Sequence, residues 1–251
     1  MNFEKVLSDG TLWEMLFSGF LYTVESTLLA LLIAFFLGLI TCLFGVSRSK
    51  VLRAINKFYL WIIRGTPLIV QAFYIYFAMP QLIQVIGKSM LGSSVPMFAA
   101  MGASWATFRI EPFTAGVVTL SLNAGAYLSE IFRSGISAID KGQMEAARSL
   151  GLSKGRAMYR VILPQALKIC VPSIVNQFII TLKDTSIVSV IGFAEIVYQA
   201  KIYIGRTMDS FATWTIVACF YLLAVTILTI ISKQIERRMN NDEKRARKKR
   251  V

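Results

Sequence analysis

The sequence predicts an all-α, polytopic membrane protein with five transmembrane helices, and three observations carry that reading. Hydrophobic residues make up 55% of the 251 positions, above the roughly 45 to 50% of soluble domains, and the mean hydropathy is +0.60. They are gathered into five runs of about the 20 residues that cross a hydrocarbon core. The basic residues are gathered too: of 27, four lie in Gly45–Lys57, six in Arg133–Arg160 and nine in Lys233–Val251. Loops rich in Lys and Arg stay in the cytoplasm. The chain is therefore expected in the cell (inner or plasma) membrane, multi-pass, with its N-terminus outside and its C-terminus cytoplasmic. A net charge of +13 would point to nucleic acid in a soluble chain. Topology accounts for it here, and no nucleic-acid partner is expected.

Met1–Gly19 reads as a mildly acidic, amphipathic lead-in to the first span, Phe20–Phe44. That run is too long for a secretory signal and has no small-residue cleavage pattern, so it is expected to be retained. Glu25 near its start can snorkel to the interface. The second span, Phe58–Met79, is interrupted by Arg64-Gly65-Thr66-Pro67. Pro67 has no amide proton, so the helix should kink or unwind there, either for packing alone or to expose backbone to a ligand. Pro80–Pro112 reads as a long, weakly patterned outer connector. Its Gly87-Lys88-Ser89 mimics the end of a phosphate-binding loop, but Leu82 stands where the first glycine belongs, so no nucleotide site follows.

The third span, Phe113–Phe132, contains Ser121, Asn123, Tyr127, Ser129 and Glu130, and the fourth, Val161–Leu182, carries Pro164, Lys168 and Pro172 in its first half. Ile187–Ala200 is too short to cross and is expected to be a half-spanning or interfacial helix. Phe211–Ser232 is the last span. Residues 1–232 thus form the membrane domain, and residues 233–251 a basic cytoplasmic tail, expected to be disordered and able to touch anionic lipid.

Between the third and fourth spans lies a polar island, Asp140–Pro164. Asp140 can cap a helix over Lys141–Leu150, with Gln143 reaching back to the Asp140 amide as a capping box. Gly151 supplies the left-handed residue that ends it. A second short helix is expected from Ser153 to Pro164, where the proline bends the path into the membrane. The alanines of Glu145-Ala146-Ala147 leave a low surface that another protein can approach.

Glu145-Ala146-Ala147, then Gly151, then Val161-Ile162-Leu163-Pro164 resembles the EAA loop of permease subunits of binding-protein-dependent ABC importers, with Val161 where Ile is usual. The resemblance narrows to the polar amino acid branch through Arg64-Gly65-Thr66-Pro67-Leu68-Ile69-Val70-Gln71, Leu120-Ser121-Leu122-Asn123-Ala124-Gly125-Ala126-Tyr127 and Leu182-Lys183-Asp184-Thr185-Ser186. It implies a type I permease fold in which the short helix couples to a cytoplasmic ATPase dimer, through Glu145, Ala146, Ala147, Gly151 and Pro164. It also implies a second permease subunit, identical or different, and an extracellular or periplasmic solute-binding protein. ATP would be bound by the partner ATPase, and the chain itself would hold no cofactor.

An amino acid substrate is a zwitterion, and taking it out of water requires a cation or donor for its carboxylate and an acceptor for its ammonium. Lys183 beside Asp184 offers one of each, Asn123 can play either part, and unwound backbone near Thr66 and Leu68 could add more. The alternative is that Lys183 and Asp184 neutralise each other at the water interface. The absence of histidine and of clustered carboxylates excludes most acid/base and metal chemistry, so no catalytic or metal-binding residue is expected. Cys42, Cys170 and Cys219 lack partner spacing for a disulfide. A channel or secondary transporter, or an importer permease for another small solute, are the rival classes. Either of the first two would place more ionisable residues within the spans.

Overall fold

The computed structural model describes residues 3–248, with side chains described through residue 237. Among the described residues every regular element is helical: α1 (Phe3–Leu7), α2 (Gly10–Gly45), α3 (Lys50–Gly65), α4 (Leu68–Phe73), α5 (Met79–Met90), α6 (Pro96–Ala106), α7 (Pro112–Ser137), α8 (Lys141–Ser149), α9 (Lys154–Ala157), α10 (Leu163–Val188), α11 (Ile196–Thr207) and α12 (Ser210–Lys248). Four helical stretches are long and apolar enough to cross a bilayer, namely Gly10–Gly45, Leu68–Met90, Lys154–Ile191 and Ser210–Arg237. Helix α7, at 26 residues, has the length but not the uniform apolarity. The reason is its place in the bundle, because fourteen of its residues are buried against neighbouring helices and small or polar side chains suffice there.

The α2–α7 contact is the spine of the bundle. A β-carbon at Gly38 would lie 2.8 Å from the Leu128 β-carbon and 3.0 Å from the Gly125 carbonyl oxygen, so the two backbones approach as closely as only glycine allows. Thr119 and Ser121 return their hydroxyls to the carbonyls of Ala115 and Val117 at 2.7 and 2.6 Å, which removes the cost of burying them. At the other end Leu12 and Leu16 of α2 pack with Ile196 and Ala200 of α11 and with Ile216 and Val217 of α12. Tyr203 donates to Asp9 at 2.8 Å, and that bond holds the Asp9 carboxyl below its ordinary value. A carboxyl with a lowered folded-state pKa stabilises at neutral pH and loses that contribution as the pH falls through the lowered value.

Several expectations are corrected. The first long helix begins at Gly10 rather than Phe20 and has 36 residues, about 54 Å, so the second half of the lead-in belongs to it. The second span, expected over Phe58–Met79, is divided at its interruption: Lys50–Gly65 is a separate amphipathic helix, and the stretch long and apolar enough to cross is Leu68–Met90, because Thr66 and Pro67 adopt extended backbone. The Pro80–Pro112 connector is a helical hairpin, in which Gly87 and Gly102 let α5 and α6 touch backbone to backbone. The run Ile187–Ala200 is not one helix. Helix α10 continues through Lys183 and Asp184 to Val188, and a turn through Gly192, at φ +84, leads into α11. The expected disordered tail is helical as far as Lys248, since residues 233–248 contain neither Gly nor Pro and are rich in strong helix formers. Its last three residues lie outside the described residues.

Both long stretches with an early proline solve the same problem in the same way. Pro80 and Pro164 each follow a π-helical turn, Tyr74–Ala78 and Met158–Ile162, in which Met79 N–H bonds to Tyr74 and Leu163 N–H to Met158, five residues back. The wider turn moves the carbonyl that a proline ring would strike. Pro164 therefore widens the helix without ending it.

Replacing Gly38 with leucine should overpack the spine, costing roughly 1 to 3 kcal/mol. Gly205 has open space around it, and Gly205→Ala should be neutral or stabilising by up to about 1 kcal/mol. Thermal unfolding in detergent compares the two, and equal melting temperatures would refute the spine.

Candidate functional site

The helix break between α3 and α4 leaves carbonyls of α3 without partners, and a side chain supplies them. Gln71 Nε2 donates to the Ile63 carbonyl at 2.7 Å, to the Thr66 carbonyl at 3.0 Å and to the Thr66 hydroxyl at 3.0 Å. Asn123 Nδ2 on α7 donates to Gln71 Oε1 at 3.2 Å. Beside this cluster the Tyr59 hydroxyl donates to the Leu122 carbonyl at 2.6 Å, fastening α3 to α7. Thr66 and Asn123, two of the expected substrate residues, are thus brought together through Gln71. Leu68 packs beside them on the apolar cluster of Ala72, Ile75 and Leu120. A cleft of about 400 Å³ opens here, lined by Ile62, Thr66, Val70, Gln71, Tyr74 and Leu122. Small ligand sites are commonly a few hundred Å³, mostly apolar, with a few convergent polar groups.

The structure does not bring Lys183 and Asp184 into that cleft. They are consecutive residues of α10 with Lys183 exposed and Asp184 half-buried. Their side chains make no hydrogen bond or ion pair among the described residues, with each other or with Thr66, Gln71 or Asn123. Two ion pairs among the described residues share the Glu130 carboxylate of α7: Arg64 of α3 lies 3.7 Å from it, and Arg133, one turn further along α7, lies 2.9 Å from it. The Arg64 guanidinium also covers the Tyr127 ring at 5.7 Å.

The polar island has the expected local structure with two changes. Asp140 caps α8 by accepting from Gly142 N–H, but Gln143 does not close a capping box. It accepts from Gln165 of α10 at 3.4 Å and ties the island to its stem. At the other end Gly151 is left-handed, at φ +85. Leu152 N–H bonds to the Ala147 carbonyl and Gly151 N–H to the Arg148 carbonyl, the paired bonds of a Schellman cap. Ser153 then caps α9. Glu145 and Ala146 are exposed, whereas Ala147 is buried against its own chain, so the two alanines do not share one open face. Leu150, at 85% exposure, and Tyr159, at 73%, add apolar surface around them.

Residues 30–241 match the family described as binding-protein-dependent transport system inner membrane component. The chain is a member of that family. Among its relatives, the arginine transport system permease protein of Bacillus subtilis is 36% identical over 90% of this chain and 92% of its own length. The glutamine transport system permease protein of Escherichia coli is 40% identical over 71% of each chain. A solved amino acid ABC transporter described as crystallised with histidines is 37% identical, with a TM-score of 0.76 over 90% of this permease and 94% of that chain. The methionine transporter MetNI in inward-facing form, at 19% identity and a TM-score of 0.68, shares the fold over 92% of this chain and 99% of its own.

Gln71 is the site residue that sequence reasoning passed over. It stood at the end of a quoted motif, and its signal was an amide within an otherwise apolar helix start. Glu195 was missed as well. It is fully buried, caps α11 by accepting from Tyr198 N–H at 2.7 Å, and accepts from the Tyr221 hydroxyl at 3.2 Å. An acid directly before an apolar helical run is the cap signal that would have found it.

Gln71→Leu should leave the Ile63 and Thr66 carbonyls without a donor, at roughly 1 to 3 kcal/mol. Hydrogen exchange across residues 64–72 should accelerate by one to two orders of magnitude, and Asn123→Ala should have a smaller effect. Unchanged exchange in Gln71→Leu would show that the break does not depend on this side chain.

Proposed function

We propose that this chain is the transmembrane permease subunit of an ATP-driven ABC importer that carries polar amino acids into the cell. The observation that carries the proposal is α8: a short helix capped at both ends, held on the α10 stem by Gln143 and Gln165, and presenting Glu145, Ala146 and Leu150 outward. It sits in a chain of the binding-protein-dependent transport family. The similarity to arginine and glutamine permeases supports the substrate class.

On this reading α7 is the fifth crossing helix, the N-terminus is outside and the C-terminus cytoplasmic, as the basic segments require. Helix α8 is the coupling helix. It docks on a cytoplasmic ATPase dimer that binds the ATP, with Glu145, Ala146 and Leu150 at the contact, Ala147 and Gly151 setting the helix against its own stem, and Pro164 positioning that stem. A solute-binding protein delivers substrate from the other side. No residue of the permease is catalytic. Residues 1–232 are the membrane domain, and residues 233–251 the basic extension on the cytoplasmic side.

Substrate recognition falls to Thr66, Leu68, Asn123, Lys183 and Asp184, with Gln71 orienting Thr66 and Asn123. Lys183 is exposed within a helix long enough to span the membrane. A charge at that depth costs on the order of 2.5 to 3.5 kcal/mol in lipid, so it faces a wet cavity or a partner. A second permease subunit, identical or different, completes such a cavity.

The decisive experiment is reconstitution. The purified permease should take up amino acids only with its ATPase, ATP and a solute-binding protein; uptake by the permease alone would make it a channel or secondary transporter. Within the complex, Gly151→Pro should abolish ATPase association while membrane insertion persists, because proline cannot adopt φ +85. Lys183→Met and Asp184→Asn should each lower uptake about tenfold to a hundredfold, the worth of a charge-assisted bond. Normal uptake in both would confine the site to Thr66, Gln71 and Asn123.

A further inference from the structure

Helix α3 divides its surface into three stripes. One stripe, Asn56, Tyr59 and Ile63, faces the protein: Asn56 is buried against Gly45 at the end of α2, Tyr59 bonds to α7, and the Ile63 carbonyl receives Gln71. A second stripe, Val51, Ile55, Phe58 and Ile62, is apolar and points away from the protein, with Val51 at 68% and Phe58 at 62% exposure. The third, Lys50, Arg53 and Lys57, is basic and exposed, and Gly45–Gly65 contains no acid. Trp61, at 73% exposure, stands between the apolar and basic stripes.

The geometry points to an anionic-phospholipid site along α3: the helix starts at the membrane surface and inclines inward, as the Tyr59 bond to Leu122 near the middle of α7 requires, with its outer apolar stripe among acyl chains and Lys50, Arg53 and Lys57 of its first half on phosphate headgroups. Four observations support this occupant. Helix α3 follows α2 after a turn of four residues, so it starts where a membrane-crossing helix emerges. The crossing stretch beyond it also exposes apolar side chains that do not line the cleft, Phe73 and Phe77. Its basic stripe is complementary to anionic headgroups and makes no ion pair among the described residues. An indole between apolar and charged faces matches the boundary of hydrocarbon and headgroup. Because Gln71 and Arg64 tie the C-terminal end of α3 to the Thr66–Asn123 cluster and to Glu130, lipid charge would be felt at the candidate site. The inference rests on the membrane reading and not on the substrate.

Trp61 is the reporter. In the full-length permease with Trp13, Trp105 and Trp214 changed to Phe, reconstituted into phosphatidylcholine–phosphatidylglycerol vesicles, the bromine is carried on the chains of one lipid or the other. Brominated phosphatidylglycerol should quench Trp61 more than brominated phosphatidylcholine at equal mole fraction. The enrichment should be about fivefold per basic side chain engaged. Lys50→Gln, Arg53→Gln and Lys57→Gln together should remove the excess, and removing residues 239–251 should not. Equal quenching by both lipids overturns the anionic site. Absence of quenching by either, with Trp61 also shielded from aqueous iodide, overturns the lipid assignment and places a second protein copy on this face. Neither outcome bears on whether the permease imports amino acids.

Discussion

A membrane offers no water to a broken helix, so every carbonyl freed by a break must be met from within the protein. The Gln71 side chain meets that demand between α3 and α4, and much else depends on it. One amide group accepts from Asn123 through its oxygen and donates to two carbonyls and a hydroxyl through its nitrogen. The chain can therefore turn from an amphipathic helix into a crossing one without a polar defect. The same closure joins Thr66 to Asn123 and places Thr66 and Gln71 on the wall of one cleft. A break in a helix and a candidate binding site are here one object, because the groups that repair the backbone are the polar groups left for a ligand.

The bundle around that break is built to let helices approach rather than to fill volume with large side chains. Gly38 admits α7 to α2, and Gly87 with Gly102 admits α6 to α5. Where hydrocarbon surrounds the protein, apolar burial between helices gains little over lipid contact, so close packing has to supply the association. Threonine and serine hydroxyls on α2 and α7 donate to their own helix one turn back, so these donors are satisfied without an acceptor on another helix. The two π-helical turns before Pro80 and Pro164 belong to the same economy, keeping the backbone bonded through residues that cannot donate.

The polar island follows the C-terminal end of α7, and α3 meets α7 at Leu122, Tyr127 and Glu130. Glu130 holds Arg64 of α3 and Arg133 at the exit of α7, while Gln143 holds α8 to the root of α10. Helix α10, which Gln143 holds at its root, is the helix that carries Lys183 and Asp184 further along. Helix α3 ends at the Thr66–Asn123 cluster. The polar island is thus joined by continuous helix to one half of the proposed substrate site, and α3 leads to the other half.

Much of this was written in the sequence. Hydropathy and charge placement fixed the helical membrane class, and the Asp140, Gly151 and Ser153 caps fixed the island, because caps are local chemistry acting within a few residues. The Arg64–Pro67 interruption was legible for the same reason. What lay beyond the sequence was decided between distant helices. Gln143 abandoned its local capping partner for Gln165, Gln71 was recruited across the break, and Ala147 turned inward while Ala146 stayed out. Helix boundaries moved where hydropathy was ambiguous: α3 is amphipathic because one stripe meets α7, and α7 tolerates polarity because its neighbours bury it. Lys183 and Asp184 could be read as a pair only along the chain. In the folded subunit they are successive positions of one helix with different exposures, and no local rule could have said that the Thr66–Gln71–Asn123 cluster would close without them.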